Sequence, residues 1–369
     1  MSGMRKFLYV SFTGEQSFTG GMQCSLRNLE SIENLFGKEN VDSYVIKPYQ
    51  NRNLLSAKIK RILDVFHGYM GGLQKTRENE ILKKIAENHY TDVYIDSSLL
   101  GLLSKKIKIL FPDVRIYIFF HNIEYNFVKA SVMVNHDYLR FYWLPLARIN
   151  ERAACKYSDK VIVLNKRDAT ELQVMYKRVP DACIPITFKS NYIIDPFEKQ
   201  RLVDNSHKQA LFIGSYFYAN IEGIKWFCNK VLPYVDLHLT IVGAGMNQLK
   251  NDIGEDERLT ILSDVPDLTL YYEKADFMVL PILSGGGMKV KTAEALMYGK
   301  YILATMEALT GYDINSSIAI QCDSADEFIQ AIRNFSLDYK YNEYSRKLFE
   351  EKYSFDVSLR LFKTIFSTK

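Results

Sequence analysis

The stretch from Leu280 to Thr305, LPILSGGGMKVKTAEALMYGKYILAT, constrains the fold more than any other part of the chain. It reads as strand, glycine turn, helix, strand. Phe277 to Leu280 is a short apolar run suited to a buried strand, and Tyr301 to Ala304 is another. Between them Gly285, Gly286 and Gly287 remove side chains where the backbone must turn sharply and where another group can approach closely. Lys289, Lys291 and Glu294 follow in the first turns of a helix carrying Ala293, Ala295, Leu296 and Met297, and Gly299 is placed to stop that helix.

The chemistry of this stretch favours an anion. A helix N-terminus presents unpaired N–H groups and the positive end of its dipole, and glycines let a phosphate reach them. Lys289 and Lys291 add cationic charge at the same place. Lys291 and Glu294 are three residues apart and share a helix face. A phosphate repels a carboxylate beside it, unless that carboxylate serves a hydroxyl slightly farther away. The ribose of a nucleoside diphosphate supplies one. On these residues alone, a glycine turn with solvated lysines and a capping glutamate is the structural alternative.

The same plan repeats along the chain. Phe7 to Ser11 is a first strand, followed by Gly14, Gly20 and Gly21 and then by a helix with Leu26, Leu29, Ile32 and Leu35. The G-x-G-x-x-G fingerprint is missing, which argues against a dinucleotide site. The glycine pair either brings backbone N–H groups close to a ligand or makes a tight turn. Tyr44 to Ile46 is a second strand. A helical stripe from Asn53 to Phe66 carries Lys58, Lys60 and Arg61 between its apolar residues, and either packs on its own core or lies on an anionic membrane surface. A charged helix from Leu73 to Asn88, a strand at Val93 to Ile95 and a helix with Leu99, Leu100, Leu102 and Leu103 come next. Arg115 to Phe120 is the clearest strand of this half, and His121 stands at its C-terminal end, where open α/β sheets put their ligands. A histidine bonded to local backbone is the other reading. A helix from about Tyr138 to Tyr157 leads to the strand Lys160 to Leu164; a short extended piece, Cys183 to Thr187, and a polar run to His207 follow.

In the second half the strands are Ala210 to Ile213, Leu237 to Val242 and Leu259 to Leu262, then the opening stretch and Ile318 to Cys322. Asn220 is placed to cap the helix holding Ile224, Trp226 and Phe227, and two amphipathic helices close the chain. Strands alternating with helices throughout predict an α/β fold with doubly wound parallel sheets. At 369 residues the chain is long enough for two domains with proper cores. A net charge of +4 does not argue for nucleic acid. The five cysteines are scattered, none paired at metal-ligand spacing, as expected of reduced thiols in a cytosolic protein. The N-terminal apolar run is too short for a signal peptide, and no stretch approaches the roughly 20 apolar residues of a membrane span. The expectation is a cytoplasmic protein, at most peripheral on the inner face of the cell membrane.

Three blocks of the second half, LFIGSYFYANIEGIKWF, IVGAG and SDVPDLTLYYEKADFMVLPILSGGGMKVKTAEALMYGK, resemble the C-terminal domain of the family-4 retaining glycosyltransferases with the GT-B fold. TGG near the start, FFHNIEY and ERAACKYSDKVIVLNKRD match the first half more loosely. The resemblance implies two Rossmann-like domains facing across a cleft. Residues 1–190 would form the acceptor-side domain, 191–207 a linker and 208–345 the nucleotide-sugar domain, with 346–369 a C-terminal helix crossing back. Glu294 matches the second glutamate of the family's Glu-x7-Glu motif, which holds the ribose, whereas the first glutamate's place is taken by Gly286, as in a subgroup with a GGG loop. Gly285, Gly286, Gly287 and Met288 would meet the donor through backbone N–H groups. Gly214 and Ser215 would also meet the donor, and Ser215 and the region around Asn220, neither basic, hold the places where the family commonly has an Arg and a Lys for the diphosphate. Lys289 and Lys291 are the expected replacements, because a leaving diphosphate needs cationic stabilisation when no metal is present. His121 matches a histidine near the donor sugar, Gly20 and Gly21 the loop that approaches the phosphates, and Ser263, Asp264 and Val265 the segment whose backbone meets the base.

The resemblance implies sugar transfer with retention from a UDP- or GDP-sugar to a glycan, lipid-linked or polysaccharide acceptor, with no cofactor or metal and no obligatory protein nucleophile. Two alternatives accompany it: a non-catalytic partner of another glycosyltransferase with the same fold, which the missing glutamate and basic pair would suit, and a sugar-nucleotide epimerase, for which no convincing acid–base set is present.

Overall fold

The computed structural model describes residues 5–12, 20–47, 63–135, 141–190, 192–193, 195, 199–204, 207–336 and 338–367. The chain divides into two compact units, Met1–Pro185 with Ser358–Lys369, and Ile186–Val357.

The first unit holds a six-stranded sheet of β1 (Phe7–Ser11), β2 (Val41–Val45), β3 (Asp92–Ile95), β4 (Arg115–Phe120), β5 (Lys160–Val163) and β6 (Ala182–Cys183), in the order β2-β1-β3-β4-β5-β6. Every neighbouring pair is parallel. Parallel neighbours need a crossover, and the chain supplies α1 (Gly20–Phe36), α2 (Lys75–Asn88), α3 (Gly101–Leu110), α4 (Glu124–Asn135), α5 (Trp143–Tyr157) and α6 (Lys166–Tyr176). Central strands of such a sheet are covered on both faces, so β1 and β3 are buried at every position, and Phe7–Val10 and Val93–Ile95 within them read as continuous apolar runs rather than alternating ones.

The second unit repeats the design with β7 (Gln209–Ile213), α7 (Tyr218–Lys230), β8 (His238–Val242), β9 (Leu259–Leu262), α8 (Thr269–Lys274), β10 (Phe277–Leu280), α9 (Val290–Met297), β11 (Tyr301–Ala304), β12 (Ala319–Gln321), α10 (Ala325–Asn334) and α11 (Glu343–Leu348). Its order is β12-β11-β10-β7-β8-β9, again parallel throughout. The last helix, α12 (Phe355–Ser367), contributes its residues from Ser358 onward to the first unit. Strand order changes direction between β1 and β3 in one sheet and between β7 and β10 in the other. In open α/β sheets the crevice beyond the strand ends at such a reversal is where ligands bind.

Several expectations shift. The second strand is Val41–Val45 rather than Tyr44 to Ile46, because it is an edge strand with one flank open and tolerates Asp42 and Ser43. Gly20 and Gly21 form the first turn of α1 instead of a loop before it. Asn220 does not cap α7, which starts at Tyr218; its side chain is used elsewhere. Lys289 lies just before α9, not inside it. Three helices close the chain, since a wide turn at Phe349–Tyr353 separates α11 from α12. Of the basic stripe Asn53 to Phe66, Lys58, Lys60 and Arg61 lie outside the described residues; Leu63 and Phe66, in the described turn, are 53% and 83% exposed. Among the described residues no helix is long and apolar enough to cross a membrane.

Candidate functional site

In the second unit, three segments meet at the reversal between β7 and β10: the exit of β7 at Gly214-Ser215, the start of α7, and the glycine loop with α9. Close backbone approach makes this possible. A Cβ on Gly223 of α7 would lie 1.7 Å from the Pro281 carbonyl oxygen, and one on Gly214 would lie 2.9 Å from Asn220 Nδ2. Helix α7 therefore lies directly against the chain leaving β10. Asn220 uses this proximity: its Nδ2 donates to the Ser215 carbonyl at 2.8 Å, and its Oδ1 accepts from the Lys291 ammonium. The same ammonium sits 4.6 Å from the centre of the Phe212 ring.

Lys291 and Glu294 share a face of α9, as their spacing requires, and both are half-buried. Burial first, and then the charge of Lys289, push the Lys291 ammonium down to about 7, against the opposing pull of Glu294. Burial raises the Glu294 carboxyl above its ordinary range, with Lys291 and a hydrogen bond from Tyr272 working the other way. The Tyr272 hydroxyl donates to Glu294 Oε2 at 3.5 Å, and its ring stacks on Tyr298 at 4.0 Å and 8°. The charge of an anion beside this pair would favour protonated Lys291.

The glycine loop is held at both ends. Ser284 Oγ donates to Glu222 Oε2 of α7 at 2.8 Å. Beyond it, Gly285 and Gly287 adopt φ of +144° and +58°, which L side chains rarely tolerate. Lys289 folds back over the loop, its Nζ 2.6 Å from Glu307 Oε1, 3.0 Å from the Gly286 carbonyl and 3.2 Å from the Gly287 carbonyl. Met288 is buried. At the end of β9, the Ser263 hydroxyl accepts from the Asn247 backbone N–H at 2.6 Å, and Asp264 takes a left-handed φ of +56°, ahead of Val265.

In the first unit, α1, β3 and β4 bring together a second polar cluster. His121 Nε2 lies 3.1 Å from Asp96 Oδ2 and 3.0 Å from the Asp96 carbonyl, and Ser25 Oγ is 3.5 Å away. Asn28 Nδ2 holds the other Asp96 oxygen at 2.8 Å. Burial opposes a charged imidazole, but Asp96 and then the Cys24 sulfur outweigh it and raise His121 well above its ordinary range. The thiol of Cys24, which accepts from Arg27 Nη2 at 3.1 Å, is lowered: burial resists ionisation, and Arg27 and His121 overcome it. A Cβ on Gly21, in the same helix, would meet open space. His121 thus has a carboxylate partner at the sheet's reversal beside its bond to the Asp96 backbone carbonyl.

Asn220 is read from the sequence only as a helix cap, and Glu307, Tyr272, Tyr298, Glu222 and Asp96 are not singled out there. Only tertiary packing brings them to these clusters, although Tyr298, four residues after Glu294, was within reach of a helix-face argument. Among the described residues no group of three or more His, Cys, Asp or Glu side chains is arranged to hold a metal ion.

Residues 207–338 match the family described as Glycosyl transferases group 1. A protein of Klebsiella pneumoniae, described as an uncharacterized 44.6 kDa protein in the cps region, is 22% identical over 259 residues, a match spanning 65% of this chain and 62% of that one. Sucrose-phosphate synthase from Thermosynechococcus elongatus superimposes with a TM-score of 0.66 at 12% identity, covering 99% of this chain and 100% of its own. The lipopolysaccharide outer core galactosyltransferase WaaB follows at 0.65 and 12%, covering 98% and 99%. Anabaena HepE, solved in complex with UDP-glucose, gives 0.64 at 9%, covering 98% and 100%. These likenesses show the fold, the two-sheet α/β architecture of GT-B proteins.

Proposed function

We propose that the chain is a glycosyltransferase that binds a nucleotide sugar at the β7–β10 reversal of its second unit and transfers the sugar with retention to a glycan or lipid-linked acceptor. The observation that carries the reading is the Lys291–Glu294 face of α9, set beside a glycine loop at the crevice where such sheets bind ligands. The group 1 match over residues 207–338 supports it, as do the UDP-glucose complex of HepE and the cps-region setting of the Klebsiella relative. In this reading Glu294 holds the ribose hydroxyls and Gly285 to Met288 present backbone to the diphosphate. Lys291, protonated on binding, carries the charge that the leaving group develops. The donor phosphate takes the acceptor's proton as the glycosidic bond breaks, so no carboxylate pair is needed, in contrast to glycoside hydrolysis. In the first unit, His121, charged through Asp96, and Gly20-Gly21 are the residues this reading assigns to the donor.

The test is nucleoside diphosphate release from UDP-, GDP- and ADP-sugars with candidate acceptors, beside direct titration of the nucleotides. Glu294→Ala should weaken nucleotide binding tenfold or more, on the order of the loss of a hydrogen bond to a charged group. A variant that binds and turns over like the parent overturns the site. One observation favours a second reading, a non-catalytic partner: the Lys289 ammonium is already engaged by Glu307 and two carbonyls. Nucleotide binding without release from any sugar and acceptor tested would support that reading.

A further inference from the structure

Lys289 and Lys291 are two residues apart, yet the structure gives them different surroundings. Lys291 faces Asn220 and Phe212, while Lys289 bonds to two carbonyl oxygens of its own loop and to the Glu307 carboxylate. We infer that Lys289 is not the diphosphate's cation but a clasp, and that Glu307 is a positioning residue that works through it to hold the glycine loop ready for a nucleoside diphosphate. This rests on the nucleotide-site reading above.

The argument begins with donors. An ammonium has three N–H groups, and among the described residues Lys289 reaches Glu307 Oε1 at 2.6 Å and the carbonyls of Gly286 and Gly287 at 3.0 and 3.2 Å. Its side chain is 12% exposed and that of Glu307 23%, so the ion pair is largely withdrawn from solvent screening. The carbonyls it grips set the direction of the loop's amides. Across a trans peptide a carbonyl and the next N–H point to opposite sides, so drawing the Gly286 and Gly287 carbonyls toward Lys289 turns the N–H groups of Gly287 and Met288 away from it. A loop with two glycines at positive φ has many other conformations available, and the clasp selects one.

Glu307 is firmly mounted for this role. It lies in the single helical turn Met306–Leu309, which Thr305 caps. Thr305 Oγ1 also donates to the Ile282 carbonyl at 2.5 Å, Thr292 Oγ1 of α9 donates to the Ala308 carbonyl at 2.7 Å, and the Met306 N–H donates to Asp323 Oδ1 at 2.7 Å. The turn is thereby tied to the strand exit before the loop and to the helix after it. A side chain at Gly285 would intrude on the clasp, its Cβ 3.3 Å from Lys289 Cε and 3.8 Å from Glu307 Oε1.

Two measurements on the full chain decide the matter. The first is amide hydrogen exchange of residues 285–288 without ligand, in the parent, Glu307→Gln, Lys289→Met and the double variant. The clasp requires faster exchange confined to this loop, roughly tenfold or more in either single variant, with the double variant no faster. Unchanged exchange, or an increase spread over the whole unit, overturns it. The second is titration with UDP and GDP. A clasp makes Glu307→Gln bind more weakly, in step with Lys289→Met. If Lys289 were instead the phosphate cation, removing its carboxylate partner would free it, and Glu307→Gln would bind more tightly while Lys289→Met bound more weakly. That opposite-sign result sinks the inference. If the parent binds neither nucleotide, the proposed function fails, while the exchange measurement still decides the clasp.

Discussion

Lys291 is the residue on which pH acts most directly. Burial and then the neighbouring Lys289 charge push its ammonium down to about 7. In the proposed function the diphosphate binds beside protonated Lys291, so binding takes up a proton once the pH exceeds that value. Nucleoside diphosphate affinity should therefore fall between pH 7 and 9, by up to about tenfold per pH unit. The ligand does not mimic this, since a terminal phosphate with a second pKa near 6 is already ionised across that window. Lys291→Arg, whose guanidinium stays charged, should flatten the profile if it still reaches the site. Isothermal titration in buffers of different ionisation enthalpy would count the protons, and a flat parent profile would remove Lys291 from the diphosphate's surroundings. His121 behaves oppositely: Asp96 keeps it protonated above its ordinary range, so charge there persists into neutral pH.

At the scale of elements, the candidate site depends on how closely α7 lies against the end of β10. That contact passes through Gly223, where a Cβ would meet the Pro281 carbonyl oxygen at 1.7 Å and its carbon at 2.9 Å. Both are backbone atoms that cannot rotate aside. Gly223→Ala should cost about 1–3 kcal/mol as overpacking, seen as a lower urea midpoint. It should also weaken nucleotide binding, because moving α7 draws Asn220 away from Lys291 and Glu222 away from Ser284. A variant of parental stability would mean that the helix accommodates the methyl without shifting.

At the scale of the whole molecule, the end of the chain belongs to the core of its beginning. Phe366 of α12 packs its ring 4.8 Å from Tyr117 and 5.4 Å from both Phe7 and Phe36. Arg5 lies among these rings, bound to Asp92 by two hydrogen bonds and donating to the Phe366 carbonyl at 2.8 Å. Phe366→Ala should cost about 3–5 kcal/mol, lowering the unfolding midpoint of the first unit by roughly 10 °C. Calorimetry would check this, and the second unit's nucleotide affinity should stay unchanged. The high aromatic content, 13% of residues, has part of its explanation here: rings fill the space where α12 meets the first sheet.

Period and punctuation along the chain determine its central strands, its parallel α/β class and the strand–glycine–helix unit, because each depends on neighbours within a few residues, whereas the edge strands Val41–Val45 and Ala182–Cys183 depart from the expected bounds. Phe277–Leu280 and Tyr301–Ala304 have the bounds that their apolar runs predict, and Gly299 ends α9 with a φ of +62°. The shared face of Lys291 and Glu294 was equally legible, since helix geometry alone sets it. What the lysines do there was not. Both read alike as cations after a glycine turn. Their difference comes from Asn220, about 70 residues earlier, and Glu307, on a turn after the next strand; only the packing of α7 and the Met306–Leu309 turn around the loop brings these partners within hydrogen-bond reach. Charge was written in the sequence, but whether a charge is spent on the fold or kept for a ligand depends on contacts between distant segments, which local spacing does not contain.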